Sequence, residues 1–188
     1  MALSINEITS GIALKVEDQI YLVSDYNHVK PGKGAAFVRV KLKHMKTNLV
    51  IERTFRSAER LNEVMLDERK VQFSYRADDA FHFIDQDTFE ELMIAKADIG
   101  DSEKYLQDNL DVTAIFCDHK FQKIVLPNFI VAKILETEPG FKGDSSRAGN
   151  KPAKIDTGAY VQVPLFINVG DWVKIDTRID QYVERVQK

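Results

Sequence analysis

The chain contains 188 residues, of which 44% are hydrophobic and 29% charged, a composition typical of soluble globular proteins. Its 26 Lys and Arg against 29 Asp and Glu give a net charge of −3, which excludes a histone-like polycation. The single cysteine, Cys117, excludes an intramolecular disulfide framework and a cysteine-rich zinc site. No apolar run reaches the roughly 18 residues of a membrane-spanning helix, and the N-terminus lacks the pattern of a secretory signal. We therefore expect a soluble, cytoplasmic protein with no membrane partner.

Charge is unevenly distributed along the chain. Residues 1–64 carry ten Lys and Arg against seven Asp and Glu, residues 65–127 seven against fourteen, and residues 128–188 nine against eight. Both ends are net positive and the middle is net negative, which suits surfaces that face different partners. Ordinary solvated charge is an alternative explanation of the same distribution.

The predicted elements are nearly all strands. Between residues 37 and 43, Val38, Val40 and Leu42 alternate with basic residues, and this period of two is typical of a half-buried strand. The segments 71–75 and 160–166 alternate in the same way. Many short strands with little helix favour an all-β fold of small barrels or sandwiches.

One helix is predicted over residues 102–109, with Asp101 or Ser102 as its N-cap. Units of about 60 residues suit SH3-like or OB-type barrels, although a single long sandwich is an alternative. The predicted domains are residues 1–64, 65–127 and 128–188.

The common enzyme motifs are missing from this sequence. Gly32-Lys-Gly34 continues into Ala35-Ala36-Phe37, which fits neither a phosphate-binding loop nor a dinucleotide-binding turn. The four histidines are scattered without the spacing of metal ligands. Cys117 ends an apolar run and is interpreted as a small core residue. We expect no enzymatic activity, no metal and no cofactor.

A basic segment without acidic residues extends from residue 28 to residue 46. Pro31, Gly32 and Gly34 predict a hairpin tip around Lys33, with the two glycines free to adopt positive φ angles. The small neighbours of Lys33 would let its side chain project into a narrow crevice. The basic residues near this tip offer charges to RNA phosphates, although a plain solvated turn is an alternative. They include Lys30, Arg39, Lys41 and Lys43.

Several separate motifs follow one another along the chain, and the most specific lies near the C-terminus. Together they resemble those of bacterial elongation factor P over nearly the whole chain. His44 and Asn48 depart from residues that are frequent in that family, Asn and Gly. The motifs are the segments 30–34, 36–39, 41–43, 52–55, 75–83, 87–90 and 126–129, then Lys151, Pro152, Ala153, Gly158, Val161, Val163, Pro164, Ile167 and Gly170, and finally the segments 176–178 and 182–185.

The resemblance implies three β-barrel domains in an L-shaped, tRNA-like arrangement, an SH3-like domain followed by two OB-type domains. It implies a monomeric factor that binds the 70S ribosome between the peptidyl and exit tRNA sites and relieves stalling at consecutive prolines. Lys33 matches the tip residue that reaches the CCA end of peptidyl-tRNA, and it is a candidate for covalent modification wherever the host has a modifying enzyme. Gly143 and Asp144 match a loop that faces mRNA at the exit site, and Tyr182 and Arg185 match residues that approach the small subunit.

Three other interpretations stay open at this point. The first is a paralogous elongation-factor-P-like protein, although the Lys33 tip favours the principal family. The second is a generic single-stranded nucleic-acid-binding OB module, which the acidic middle segment disfavours. An enzyme is the third, and no group of residues in the sequence supports it.

Overall fold

The computed structural model describes residues 2–32, 34–139 and 149–187 and is built almost wholly from β-strands. These strands form three sheets, of six, five and five strands, and the third sheet closes into a barrel. The all-β expectation is confirmed. The alternative of a single long sandwich is wrong, because the strands do not assemble into one pair of facing sheets.

Contacts between Cα atoms group the chain into two compact units. One unit contains residues 1–69 and 114–123, and the other contains residues 70–113 and 124–188. The predicted boundaries of three domains, and their L-shaped arrangement, stay predictions.

The first sheet has the strand order β1-β6-β2-β3-β4-β5. The alternation predicted for residues 37–43 is confirmed, because Val38, Val40 and Leu42 are completely buried and face the core of this sheet. Asn48 has a φ of +57° in the turn after β4, a conformation that asparagine tolerates. A short 3₁₀ helix covers Ile5–Glu7. The strands are β1 (Ala2–Leu3), β2 (Ala13–Val16), β3 (Gln19–Val29), β4 (Phe37–His44), β5 (Val50–Arg56) and β6 (Leu61–Val64).

The second sheet has the order β11-β10-β7-β8-β9. Phe73, Phe81 and Phe83 are buried on one of its faces, where the Phe73 ring lies 5.9 Å from the Phe81 ring and 5.4 Å from the Phe83 ring between centroids. The strands are β7 (Leu66–Ala77), β8 (Ala80–Asp85), β9 (Glu91–Ala95), β10 (Asp111–Cys117) and β11 (Lys120–Val125).

The helical segment begins earlier and ends earlier than the predicted range 102–109. A one-turn α-helix, α1, covers Lys96–Ile99, and a 3₁₀ helix follows at Gly100–Tyr105. Gly100, the first residue of the 3₁₀ helix, has a φ of +58°, which interrupts regular helical geometry. Asp101 and Ser102 therefore lie inside the second helix, and the prediction that one of them is an N-cap is wrong.

The third sheet is a closed barrel with the order β12-β13-β14-β16-β15. Its core contains the buried side chains of the C-terminal motif, Val161, Val163 and Ile167, together with Tyr105 from the preceding 3₁₀ helix. Gly158 and Gly170 of the same motif occupy turns at φ angles of +91°, where a side chain is unfavourable. The strands are β12 (Phe129–Thr137), β13 (Asn150–Ile155), β14 (Tyr160–Pro164), β15 (Trp172–Asp176) and β16 (Gln181–Val186).

Candidate functional site

The hairpin of β3 and β4 carries the basic segment. The two strands pair from Tyr21 opposite His44 to Val29 opposite Phe37, and the tip of the hairpin lies between Val29 and Phe37. A register shift near Ser24 interrupts the pairing, and the Ser24 hydroxyl donates to the Lys41 carbonyl at 3.0 Å. The long pairing holds the tip at the end of a defined two-stranded arm.

The tip itself is exposed at Pro31, Gly32 and Gly34. Gly34 has a φ of +113°, a conformation that glycine permits. Gly32 does not use the same freedom, because its φ lies outside the positive region, and a Cβ atom built on it meets open space. Lys33, the residue expected to act at this tip, lies outside the described residues.

The basic residues of β4 are partly neutralised by acids on the neighbouring strands. Arg39 Nε lies 3.3 Å from Glu52 Oε1 on β5, and Lys41 Nζ lies 3.0 Å from Asp25 Oδ2 on β3. The hydrogen bond from Lys41 lowers the pKa of the Asp25 carboxyl. Lys30 is exposed beside the tip. The segment from residue 28 to residue 46 therefore has less unpaired positive charge in the folded protein than its sequence suggests.

One basic residue of this unit, Lys123, was not identified as a candidate site residue from the sequence. Lys123 on β11 is half-buried, and burial together with repulsion from Lys43 lowers the pKa of its ammonium group. Sequence alone does not show that β11 and the end of β4 come together, so no local pattern marks Lys123.

Tyr182 and Arg185 lie on one face of β16 because of a β-bulge. Tyr182 pairs with Ile175, whereas Glu184 pairs with Lys174 and Arg185 with Val173, which leaves Val183 as the extra residue. Without that bulge, residues three apart on a strand would face opposite sides. The structure thus brings together the two residues that the resemblance names for the small subunit.

The loop predicted to face the exit-site codon is described only at its ends. Gly143 and Asp144 lie outside the described residues. At the base of the loop, buried Lys151 donates from Nζ to the Glu138 carbonyl at 2.6 Å, and the Thr137 hydroxyl donates to the Pro152 carbonyl at 3.0 Å. These bonds fix the ends of β12 and β13 against each other.

Within the described ranges, no group of three or more His, Cys, Asp or Glu side chains is arranged to hold a metal ion. The same ranges contain no helix long and apolar enough to cross a membrane.

Comparisons with known proteins extend these observations over the whole chain. Three family models match successive segments: the elongation factor P KOW-like domain at residues 4–61, the elongation factor P OB domain at 66–124, and the elongation factor P C-terminal domain at 130–185. The chain belongs to the elongation factor P family. The KOW-like and OB domain matches agree with the barrel classes expected from the sequence, and the family is one of translation factors rather than enzymes.

Individual relatives agree with that assignment. The chain is 45% identical over 183 residues to elongation factor P of Moorella thermoacetica, covering 97% of this chain and 99% of the relative. It is 43% identical over 182 residues to elongation factor P of Natranaerobius thermophilus, covering 97% of both chains. The fold also resembles eukaryotic translation initiation factor 5A from Methanococcus jannaschii, with a TM-score of 0.54 and 20% identity over 67% of this chain and 92% of that one.

Proposed function

We propose that this member of the elongation factor P family binds the ribosome between the peptidyl and exit tRNA sites and relieves stalling at consecutive prolines. The observation that carries the proposal is the exposure of Pro31, Gly32 and Gly34 at the end of the paired β3–β4 arm. A lysine at such a tip has little neighbouring bulk, and it can approach the CCA end of peptidyl-tRNA in a crowded site. Lys33 is the residue in that position.

Lys33 acts in this proposal by positioning and electrostatics. A prolyl amine is conformationally restricted and attacks poorly, and a proline-rich nascent chain strains the donor ester. Holding the CCA end in attack geometry raises the fraction of time in which the reaction can proceed. Positioning supplies up to about 7–11 kcal/mol in well-oriented reactions, and a tenfold gain in rate needs only about 1.4 kcal/mol. Lys33 therefore needs no role as an acid, a base or a nucleophile, and a covalent extension of its amine would lengthen its reach.

The other contacts follow the positions of the remaining site residues. Lys30, Arg39, Lys41 and Lys43 would face RNA, and the loop with Gly143 and Asp144 would face mRNA at the exit site. Tyr182 and Arg185, on one face of β16, would contact the small subunit. The acidic middle segment, with fourteen Asp and Glu against seven Lys and Arg in residues 65–127, would limit adhesion to unrelated RNA.

Peptide synthesis on purified ribosomes that lack the native factor tests the proposal. The protein should stimulate synthesis from a template encoding Pro-Pro-Pro and leave a proline-free template unchanged. Equal stimulation of both templates, or of neither, would show that this chain lacks the proposed proline-specific function.

A further inference from the structure

The paired arm of β3 and β4 carries two aromatic rings close to its tip. Tyr26 lies opposite Val40, and His28 lies opposite Val38, on the neighbouring strand. Directly opposite residues of an antiparallel pair share a face, so both rings belong to the same face of the arm as these two buried valines. Arg39 lies between the valines on β4 and therefore belongs to the other face. The arm thus has an aromatic face and a charged face.

A β-bulge at Ser24 determines which face receives the rings. Val23 is buried in the core of the first sheet, and Tyr26, three residues later, lies on the same face. On a regular strand, residues three apart face opposite sides, so the extra residue turns Tyr26 and His28 away from the charged face. The Ser24 hydroxyl donates to the Lys41 carbonyl at 3.0 Å and holds the bulge in place.

The two rings contact each other and are open to solvent. The centroids of the Tyr26 and His28 rings lie 5.4 Å apart, and the ring planes meet edge to face at 77°. Tyr26 is 36% exposed and His28 is also exposed, although the valines opposite them are completely buried. An edge-to-face contact is a favoured geometry for aromatic pairs, so each ring helps to orient the other. The pair therefore presents aromatic surface of defined orientation to solvent.

The charge around the rings favours RNA as their partner. Residues 26–40 contain no Asp or Glu, and they include Lys30 and Lys33. Lys30 is exposed two residues after His28. Positive charge of this kind attracts the phosphates of a nucleic acid, and unpaired bases stack on aromatic side chains. Single-stranded RNA matches both features, because it offers phosphates to the lysines and bases to the rings.

We propose that Tyr26 and His28 bind an unpaired nucleobase by stacking, within a few nucleotides of the one that Lys33 reaches. This inference rests on the proposed function, which supplies the RNA as the single-stranded CCA end of peptidyl-tRNA. A strand rises about 3.3 Å per residue, so the five residues from His28 to Lys33 span at most about 17 Å. Tyr26 and His28 are positioning residues in this proposal, because they hold a base and not the reacting ester.

Proton NMR of the histidine rings gives the direct test. The probes are an RNA hairpin that ends in a single-stranded CCA and the same hairpin with a blunt end, both at about pH 8, where histidine is ordinarily neutral. The CCA-ended hairpin should shift the Hε1 resonance of His28 upfield, because a stacked base shields that proton. His82, whose ring stacks on Tyr75 in the second sheet, is the internal control and should not shift. No shift at His28, or an equal shift with the blunt hairpin, overturns the proposal.

Variants of Tyr26 test the same stacking on the ribosome. Tyr26→Leu should lower the rate of Pro-Pro-Pro synthesis at saturating factor about fivefold or more, which is the effect typical of losing a stack between a base and an aromatic ring. Tyr26→Phe keeps an aromatic ring and should retain most of the rate. Tyr160→Leu removes an exposed ring from the barrel, and this matched control should leave the rate unchanged. Equal rates for Tyr26→Leu and Tyr26→Phe would overturn the role of the ring.

The two proposals can fail separately. The NMR measurement uses protein and RNA without ribosomes, so the absence of proline-specific stimulation by the natural chain would contradict the proposed function and leave a positive NMR result standing. Conversely, a missing shift at His28 removes the aromatic site and leaves the role of Lys33 to its own test.

Discussion

The hydroxyl of Tyr105 donates to Asp180 Oδ1 at 2.9 Å, and this bond joins the end of the 3₁₀ helix to the turn before β16. Lys104 binds the other oxygen of the same carboxylate at 2.6 Å. The Tyr105 ring is completely buried in the barrel core, and burial and the Asp180 carboxylate raise the pKa of its phenol well above the ordinary value. The barrel is therefore completed by a residue that precedes its first strand.

Tyr105→Phe should destabilise the barrel by about 1 kcal/mol, because a hydrogen bond to a charged acceptor is lost while Lys104 and water still solvate Asp180. Urea denaturation followed by the fluorescence of Trp172, the single tryptophan, measures the change. Tyr160→Phe removes an exposed hydroxyl from the same barrel and should be nearly neutral. Equal stabilities for the two variants would show that the Tyr105–Asp180 bond contributes nothing.

The stability of the barrel should fall in acid because the Asp176 carboxylate becomes protonated. Arg178 donates to both oxygens of this buried carboxylate, from Nε at 3.0 Å and from Nη2 at 2.6 Å, and these hydrogen bonds lower its pKa. A carboxyl with a lowered folded-state pKa contributes stability above its unfolded pKa of about 3.9, and the contribution disappears as pH falls through the folded-state value.

The stability difference between the natural chain and Asp176→Asn should therefore be constant near neutral pH and shrink below about pH 4. Urea denaturation at several pH values gives this difference. A difference that stays constant down to pH 3 would contradict the assigned role of the Arg178 pair.

The two glycines of the tip should respond differently to alanine. Gly34 has a φ of +113°, so Gly34→Ala should strain the tip by about 1–3 kcal/mol or change its conformation. Gly32→Ala should be tolerated, because Gly32 lacks a positive φ and its Cβ would meet open space.

We expect Gly34→Ala to lose most of the proline-specific stimulation and Gly32→Ala to keep more of it, as measured by Pro-Pro-Pro synthesis with both proteins at saturating concentration. If Gly32→Ala is the more damaging variant, the bulk beside Lys33 matters more than the backbone conformation at Gly34.

The bulge on β16 predicts a face-dependent effect on ribosome binding. Arg185→Gln should weaken binding to the small subunit, because Arg185 shares a face with Tyr182. It should also reduce the slope of log affinity against log salt concentration by about one. Glu184→Gln changes a neighbouring exposed residue on the other face, which pairs with Lys174 at 3.1 Å. Filter binding over a range of salt concentrations distinguishes them, and similar slopes for both variants would refute a contact specific to the Tyr182 face.

Much of the fold was predictable because its signals are local. The period-two pattern of Val38, Val40 and Leu42 requires only that one face of a strand be buried, and all three side chains are. The position of Gly34 in a tight turn likewise indicates that a positive φ is possible there, and its φ is positive. The predicted helix lies too far toward the C-terminus. Local propensity shows neither the break at Gly100 nor the burial of Tyr105 in a barrel formed by residues later in the chain.

The features that could not be predicted from the sequence all depend on contacts between segments that are far apart along the chain. Glu52 and Asp25 neutralise Arg39 and Lys41 only because β3, β4 and β5 are neighbours in that register. Burial, and then repulsion from Lys43 80 residues earlier in the chain, lowers the pKa of Lys123, and no periodicity of the sequence marks either effect. The net charge counted along a segment of the sequence therefore differs from the unpaired charge that the folded protein presents to a binding partner.

The most direct test of the account compares the natural chain with Lys33→Ala in Pro-Pro-Pro synthesis on ribosomes that lack the native factor. Both proteins should be produced in the natural host, with intact masses recorded, so that any modification of Lys33 is retained and known. Circular dichroism should show the same fold for both. The account predicts that Lys33→Ala loses the proline-specific stimulation, and full stimulation by Lys33→Ala would contradict it.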